Sequence, residues 1–163
     1  MALRFNPDIA VVGEMRGAEA NAAQEAARTG IAVLTTIHAN SCEATYRRMV
    51  SLCKRAVDMS DETLMGYVTE AYPIIVFCKQ LENKERRMME IMECEIMPDG
   101  TRNYHTLFQY IITENRMDEN GKFIIEGYHN QKCSISKSLS KRLLENGMPL
   151  DIIETMNVKE EPF

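Results

Sequence analysis

The sequence has no C-x-x-C pair and no long apolar run. Its cysteines are scattered along the chain, at Cys42, Cys53, Cys78, Cys94 and Cys133. Because structural zinc sites use closely spaced ligands, this scatter argues against a zinc site, and the absence of a signal peptide favours reduced, cytosolic thiols. No apolar stretch approaches the roughly 18 residues that cross a bilayer. We therefore expect any role in a membrane process to be exercised from the cytoplasmic side.

The chain also lacks an excess of basic residues. Its formal net charge is -5 and its pI is about 5.3. Nucleic-acid binding depends on clustered Lys and Arg, so this composition argues against direct binding of nucleic acid. With 163 residues, 45% of them apolar, the chain suits one compact domain or one with a small appendage.

The first part of the sequence, which has no repeat or low-complexity tract, alternates strand and helix patterns. Ile9 to Val12 is a short apolar run, Ala18 to Arg28 is an alanine-rich helix closed by Gly30, and Ile31 to Ile37 is a second apolar run. Strands that are apolar on both faces and joined by a helix indicate a parallel βαβ unit covered on both sides.

The pattern changes to antiparallel hairpins after Pro73. Two helices are predicted before that point, at Ser41 to Arg55 and Ser60 to Ala71. Four strands are predicted after it, at Ile74 to Leu81, Arg86 to Met97, Arg102 to Thr113 and Phe123 to Tyr128. Two helices close the chain, at Ile135 to Asn146, capped by Ser134, and at Leu150 to Met156. Short turns separate the strands. We expect residues 1–81 to form one part, and residues 82–163 a hairpin extension and helix pair packed on the same core.

Chemically useful side chains follow both strands of the βαβ unit. Glu14 comes just after the first strand, with Arg16 two places on, and His38 comes just after the second. Ligands of open parallel sheets bind outside the carboxyl ends of the strands. These groups are therefore expected to lie together at the carboxyl edge of the sheet. An acid with cationic groups suits phosphate chemistry. The alternative is that Glu14 and His38 are solvated residues at strand exits.

Two stretches resemble signatures of a known family. L-R-F-N-P-D-I-A-V-V-G-E-M-R-G followed by T-G-I-A-V-L-T-T-I-H-A-N-S is similar to the Walker B region and histidine box of type II and type IV secretion ATPases, of the CpaF-like and VirB-type branch. The resemblance implies an α/β fold with an incomplete RecA-like P-loop NTPase core. The family often has T-G-H where this chain has Thr29-Gly30-Ile31, so that first histidine is absent.

The resemblance also implies roles for individual residues. It makes Glu14 the catalytic carboxylate that polarises water and holds Mg through water, and His38 the histidine-box residue that senses or contacts the terminal phosphate. Arg16, Thr36 and Asn40 are expected to bind nucleotide. The cofactors are then ATP and Mg, and the activity drives pilus assembly, protein secretion or DNA transfer.

No phosphate-binding loop of the form G-x-x-x-x-G-K-[ST] occurs in the sequence. The Gly-Lys pair at Gly121-Lys122 is followed by Phe123 and is better explained as an Asn-Gly turn. The chain resembles the carboxyl-terminal portion of the ATPase, with Ala2 to Phe5 as the last turn of a preceding helix. We expect it neither to bind ATP tightly nor to hydrolyse it alone.

The absent P-loop strand would leave one edge of Ile31 to Ile37 unpaired. We expect that edge to pair with Ile74 to Leu81 or to exchange strands in a dimer. The resemblance implies partners as well: hexamers of full-length ATPase subunits and platform proteins of the inner membrane, to which the protein would be peripheral. The alternative function is a non-catalytic interaction module that binds intact subunits. Arg47 and Arg48 are expected on an exposed helix face, or else near a subunit boundary.

Overall fold

The computed structural model describes residues 7–158 of the chain. Contacts divide the chain into two compact units, Met1–Pro73 and Ile74–Phe163. This division differs from the expected boundary after Leu81, because the strand that begins at Ile74 pairs within the second unit. The helix turn expected at Ala2 to Phe5 lies outside the described residues.

The first unit contains the predicted parallel βαβ unit. Strand β1 (Ile9–Val12) pairs in parallel with β2 (Ala32–Thr35), and helix α1 (Glu19–Arg28) joins them. β2 is shorter than the predicted strand, since its ladder covers only the residues that face β1. Together with the antiparallel sheet and helices of the second unit, this confirms the mixed α/β fold class.

The expectation that this sheet is covered on both faces is wrong. Exposure alternates along both strands, and one face carries Ile9, Val11 and Leu34, whose exposed fractions are 58%, 73% and 62%. The opposite face is half-buried, and α1 packs against β2. An unbroken apolar strand therefore has a solvent-facing side in this chain.

Helices α2 (Cys42–Cys53) and α3 (Asp61–Ala71) complete the first unit. Ser41 and Ser60 cap them by accepting hydrogen bonds from backbone N–H groups one turn later. The helices pack on each other and on α1 through fully buried side chains, among them Tyr46, Met49, Leu52, Leu64 and Val68. The Tyr46 hydroxyl donates to the Tyr72 carbonyl at 2.6 Å, so this fully buried side chain has its polar atom satisfied.

The second unit is built on a four-stranded antiparallel sheet in the order β3-β4-β5-β6. Its strands are β3 (Ile74–Gln80), β4 (Arg86–Ile96), β5 (Arg102–Met117) and β6 (Phe123–Gln131). β5 runs past the predicted end at Thr113 because that residue is a bulge in its ladder with β6, after which pairing resumes to Met117. The predicted hairpins are confirmed.

The proposed pairing of Ile74 to Leu81 with β2 is wrong. β3 pairs with β4 through a short turn in which the Lys84 N–H donates to the Leu81 carbonyl and the Leu81 N–H donates to the Glu85 carbonyl. A short loop costs little entropy to close, which favours the pairing of β3 with β4. Among the described residues, β2 has only β1 as a partner.

The carboxyl-terminal helices α4 (Lys137–Glu145) and α5 (Leu150–Thr155) confirm the predicted helix pair. The cap of α4 is Ser136 rather than Ser134: its side chain accepts from Leu139 N–H, and the Glu93 carboxylate binds both its hydroxyl and its backbone N–H. Glu93 is 2% exposed and belongs to β4, so it ties the start of α4 to the sheet. No helix within residues 7–158 has the length and apolar character to cross a membrane.

Candidate functional site

The ends of β1 and β2 are joined beyond the strands themselves. Met15 N–H donates to the Thr36 carbonyl at 2.8 Å, and the Thr36 hydroxyl donates to the Gly13 carbonyl at 2.6 Å. The two chain segments therefore leave the sheet side by side. This holds the residues after β1 next to those after β2.

Glu14 lies at the centre of this edge, between a guanidinium and an imidazole. Its Oε2 is 2.6 Å from Arg16 Nη2, and its Oε1 is 3.2 Å from His38 Nε2. The Glu14 side chain is 25% exposed, against 75% for Arg16 and 85% for His38. The structure thus brings together the acid, the imidazole and the guanidinium that the strand pattern predicts at the carboxyl edge of the sheet.

The surroundings of Glu14 favour its charged form. The hydrogen bond from Arg16 lowers the pKa of the Glu14 carboxyl, partial desolvation opposes this, and the charges of Arg16, His38 and Arg48 lower it further. In return, the pKa of Arg16 is raised. At neutral pH Glu14 is therefore a carboxylate, which is the form that accepts hydrogen bonds from water.

One oxygen of this carboxylate forms no hydrogen bond with the residues that the structure describes. This atom, Oε1, is buried and lies 3.2 Å from His38 Nε2. Residues 7–158 contain no group of three or more acidic, His or Cys side chains arranged to hold a metal ion. Mg²⁺ in phosphate sites is usually bound by one or two carboxylates with water and phosphate oxygens, so Glu14 fits a water-mediated contact rather than a protein cage.

A second carboxylate supports the loop that carries Arg16. Glu19, in the first turn of α1, accepts hydrogen bonds through Oε1 from the backbone N–H groups of Arg16, at 2.6 Å, and Gly17, at 2.9 Å. The Arg16 N–H is the main cause of the lowered pKa of the Glu19 carboxyl. Arg55 donates to the Arg16 carbonyl at 2.9 Å. The sequence signal for Glu19 is an acid in the first turn of a helix, where it can bind free N–H groups.

The two remaining predicted residues have different settings. The hydroxyl proton of Thr36 is engaged with Gly13, so this residue has a clear structural role at the edge. Asn40 is exposed and borders a shallow, open cleft of about 460 Å³. The cleft is lined by His38, Ala39, Asn40, Ala44 and Arg48. Arg48, which was expected on an exposed helix face or else near a subunit boundary, is exposed and lines this cleft.

A family model matches most of the chain, and two known proteins match about a third of it or less. A family model described as type II/IV secretion system protein matches residues 1–148. An uncharacterized protein, MJ1287, of Methanocaldococcus jannaschii is 52% identical over 48 residues, which are 29% of this chain and 18% of that protein. The competence protein ComGA of Streptococcus pneumoniae is 42% identical over 53 residues, 32% of this chain and 17% of ComGA. The matched segments thus span less than a fifth of either relative.

Proposed function

Because the chain belongs to the type II/IV secretion system protein family, we propose that it carries the acidic and histidine side of the ATP site of a secretion ATPase. The observation that carries this proposal is the Glu14 carboxylate, 25% exposed and held between Arg16 and His38 at the carboxyl edge of a parallel sheet, with an Oε1 that forms no hydrogen bond within residues 7–158. A charged carboxylate with an oxygen not used in hydrogen bonding suits activation of a water molecule.

ATP with Mg²⁺ supplies the phosphoryl group that is transferred to water. The Glu14 carboxylate would accept a hydrogen bond from the attacking water, either as its base or by orienting it, and would hold Mg²⁺ through a water molecule. Arg16 keeps this carboxylate ionised and fixes its second oxygen. His38 and Asn40 lie beside the open cleft, where their polar atoms can contact phosphate oxygens. Thr36 contributes by holding the edge together.

We further propose that the 163 residues alone neither bind ATP tightly nor hydrolyse it. A P-loop contributes several charge-assisted hydrogen bonds of about 1.5–3 kcal/mol each, so the absence of about three weakens binding by roughly a thousandfold or more. The test compares ATP turnover by the 163-residue chain with that of a chain extended at its amino end by a G-x-x-x-x-G-K-[ST] segment, taken from in-frame upstream codons where these encode one.

Turnover is expected only in the extended chain, and only with Mg²⁺. The matched control for the short chain is its own Glu14→Gln variant, which corrects for contaminating hydrolases. Turnover by the short chain above that control would overturn the proposed inactivity. An extended chain that binds ATP but never hydrolyses it would overturn the proposed function.

The wider role that we propose is that of a motor in macromolecular transport. ComGA is named a competence protein, and the family description refers to type II/IV secretion. On this basis the intact protein is a CpaF-like hexamer on the cytoplasmic face of the inner membrane. It couples ATP hydrolysis to pilus assembly, protein secretion or DNA transfer through platform proteins, without gripping nucleic acid itself.

A second candidate function is that of a non-catalytic module that associates with itself or with intact ATPase subunits. The exposed apolar face at Ile9, Val11 and Leu34 favours it, because a contiguous apolar surface of this kind is typical of contact sites. If this module assembles by strand exchange or by binding intact subunits, light scattering after size exclusion is expected to give the mass of a dimer or of stable mixed oligomers with a full-length subunit. Val11→Thr, which keeps a β-branched shape, should weaken that assembly. A monomer that never joins the subunit would contradict this alternative.

A further inference from the structure

Two adjacent arginines of α2 have different surroundings. Both are exposed, but Arg47 lies 4.0 Å from the Glu43 carboxylate one turn away, whereas Arg48 borders the cleft beside His38 and Asn40. Within residues 7–158, the Arg48 guanidinium forms no ion pair and no hydrogen bond. Arg48 is therefore a cation whose donors are free on the side of the cleft.

The positive charge of Arg48 affects the pKa of the Glu14 carboxyl in the candidate site. The hydrogen bond from Arg16 is the main cause of the lowered pKa of Glu14, and Arg48 contributes to the same shift without touching the carboxylate. Arg16 differs from Arg48 in that its guanidinium is already engaged, at 2.6 Å, by Glu14. The cleft and the Glu14 edge are therefore close enough for their charges to interact. Of the two guanidiniums, Arg16 is paired with Glu14, whereas Arg48 is not paired within residues 7–158.

The composition of the cleft favours an anion. Of the residues that the structure describes, its lining includes an arginine, a histidine and an asparagine but no carboxylate, and the nearby Glu14 carboxylate is already paired with Arg16 and contacts His38. The first turn of α2 contributes Ala44, but the N–H of that residue is satisfied by Ser41, so side-chain donors rather than the helix terminus distinguish this surface. A guanidinium presents a planar fork of N–H groups that matches two oxygens of a phosphate.

We propose that Arg48 is a phosphate-binding residue, which holds a phosphate group of the nucleotide in the cleft next to His38 and Asn40. The proposal rests on the proposed function for the identity of the ligand, a nucleoside polyphosphate. The cleft volume of about 460 Å³ lies in the range of small-molecule sites. Arg48 acts on the bound phosphate, while Glu14 acts on the water.

The test is a pyrophosphate titration of the 163-residue chain, followed by the amide NMR signals of Asn40 and Ala44, with ionic strength kept constant by sodium chloride. The wild-type chain is expected to bind in the millimolar range. Arg48→Gln should weaken binding about tenfold or more, because it removes a charge-assisted hydrogen bond. Arg47→Gln is the matched control: it makes the same change in net charge one residue away and should leave the affinity nearly unchanged.

Arg48→Lys, which keeps the charge and loses the fork, should bind pyrophosphate better than Arg48→Gln. If the amide spectrum of Arg48→Gln shows that this variant is not folded, the affinity of Arg48→Lys is compared with that of the wild type instead, and a weaker affinity is expected. Three results would overturn the proposal: no pyrophosphate binding by the wild type, equal affinity in Arg48→Gln, or equal weakening by Arg47→Gln, which would indicate only a diffuse field. Because no nucleotide is present, these results are independent of whether the extended chain hydrolyses ATP.

Discussion

Glu14→Gln in the extended, ATP-hydrolysing chain is expected to lower kcat by about 100- to 10,000-fold, the contribution of a well-placed general base. Glutamine has nearly the same shape, but its amide is neutral and cannot take a proton from water. The substitution also removes the ion pair with Arg16, which keeps the carboxylate charged. Steady-state hydrolysis with saturating Mg-ATP measures the effect on kcat, and nucleotide binding should change much less.

Glu19→Gln is the control for this prediction. Glu19 also lies at the edge, but its Oε1 only accepts hydrogen bonds from the Arg16 and Gly17 backbone, and a glutamine carbonyl can still do so. Its turnover should therefore remain within about tenfold of the parent, the loss that a weakened neutral hydrogen bond allows. Comparable losses in both variants would mean that Glu14 matters for loop structure rather than chemistry.

The meeting of Glu14 and His38 could be predicted because it depends on local rules. A helix of ordinary length between two apolar runs makes the strands parallel, and parallel strands end at the same edge. The hydrogen bonds of Thr36 and Met15 then hold the two exits side by side. The catalytic use of the edge is a separate matter that geometry alone does not decide, and it stays a prediction.

Other features depended on contacts between residues far apart in sequence. Ser134 and Ser136 are equally good helix caps by residue type. The structure selects Ser136 because buried Glu93, 43 positions away, binds its N–H and hydroxyl. The pairing of β3 with β4 has a simpler cause, a short turn that costs little entropy to close.

The apolar runs of β1 and β2 show a different limit of sequence reasoning. An unbroken run predicts burial on both faces, yet only one face is covered and Val11 remains 73% exposed. The apolar residues of a strand indicate which faces could be buried. They do not indicate whether a helix or another sheet lies against each face. For Arg48 the limit was similar: its position on the exposed side of α2 was predictable, but its place beside the loop of His38 required the packing of α2 against that loop.

The largest stability loss is expected for Gly127→Ala in β6. A Cβ at this position would lie 2.3 Å from the Ile111 carbonyl oxygen and 2.8 Å from Tyr110 Cζ. The Tyr110 ring is buried with Leu81 and Ile125, so it cannot swing aside, and the carbonyl belongs to the β5 backbone. Overpacking of this kind costs about 1–3 kcal/mol, and more where backbone must shift. Urea unfolding should therefore show a lower midpoint.

Gly13→Ala is the matched substitution, because a Cβ there meets nothing within 4 Å and the residue does not have a positive φ. It should leave the free energy of unfolding within about 1 kcal/mol of the parent. Amide exchange separates the two sites further: Gly127→Ala should accelerate exchange in β5 and β6 more than in α1 and α2, because the strain is local to that ladder. Equal midpoints for the two variants would show that β5 and β6 separate easily at Gly127, contrary to the close approach of Ile111 and Tyr110.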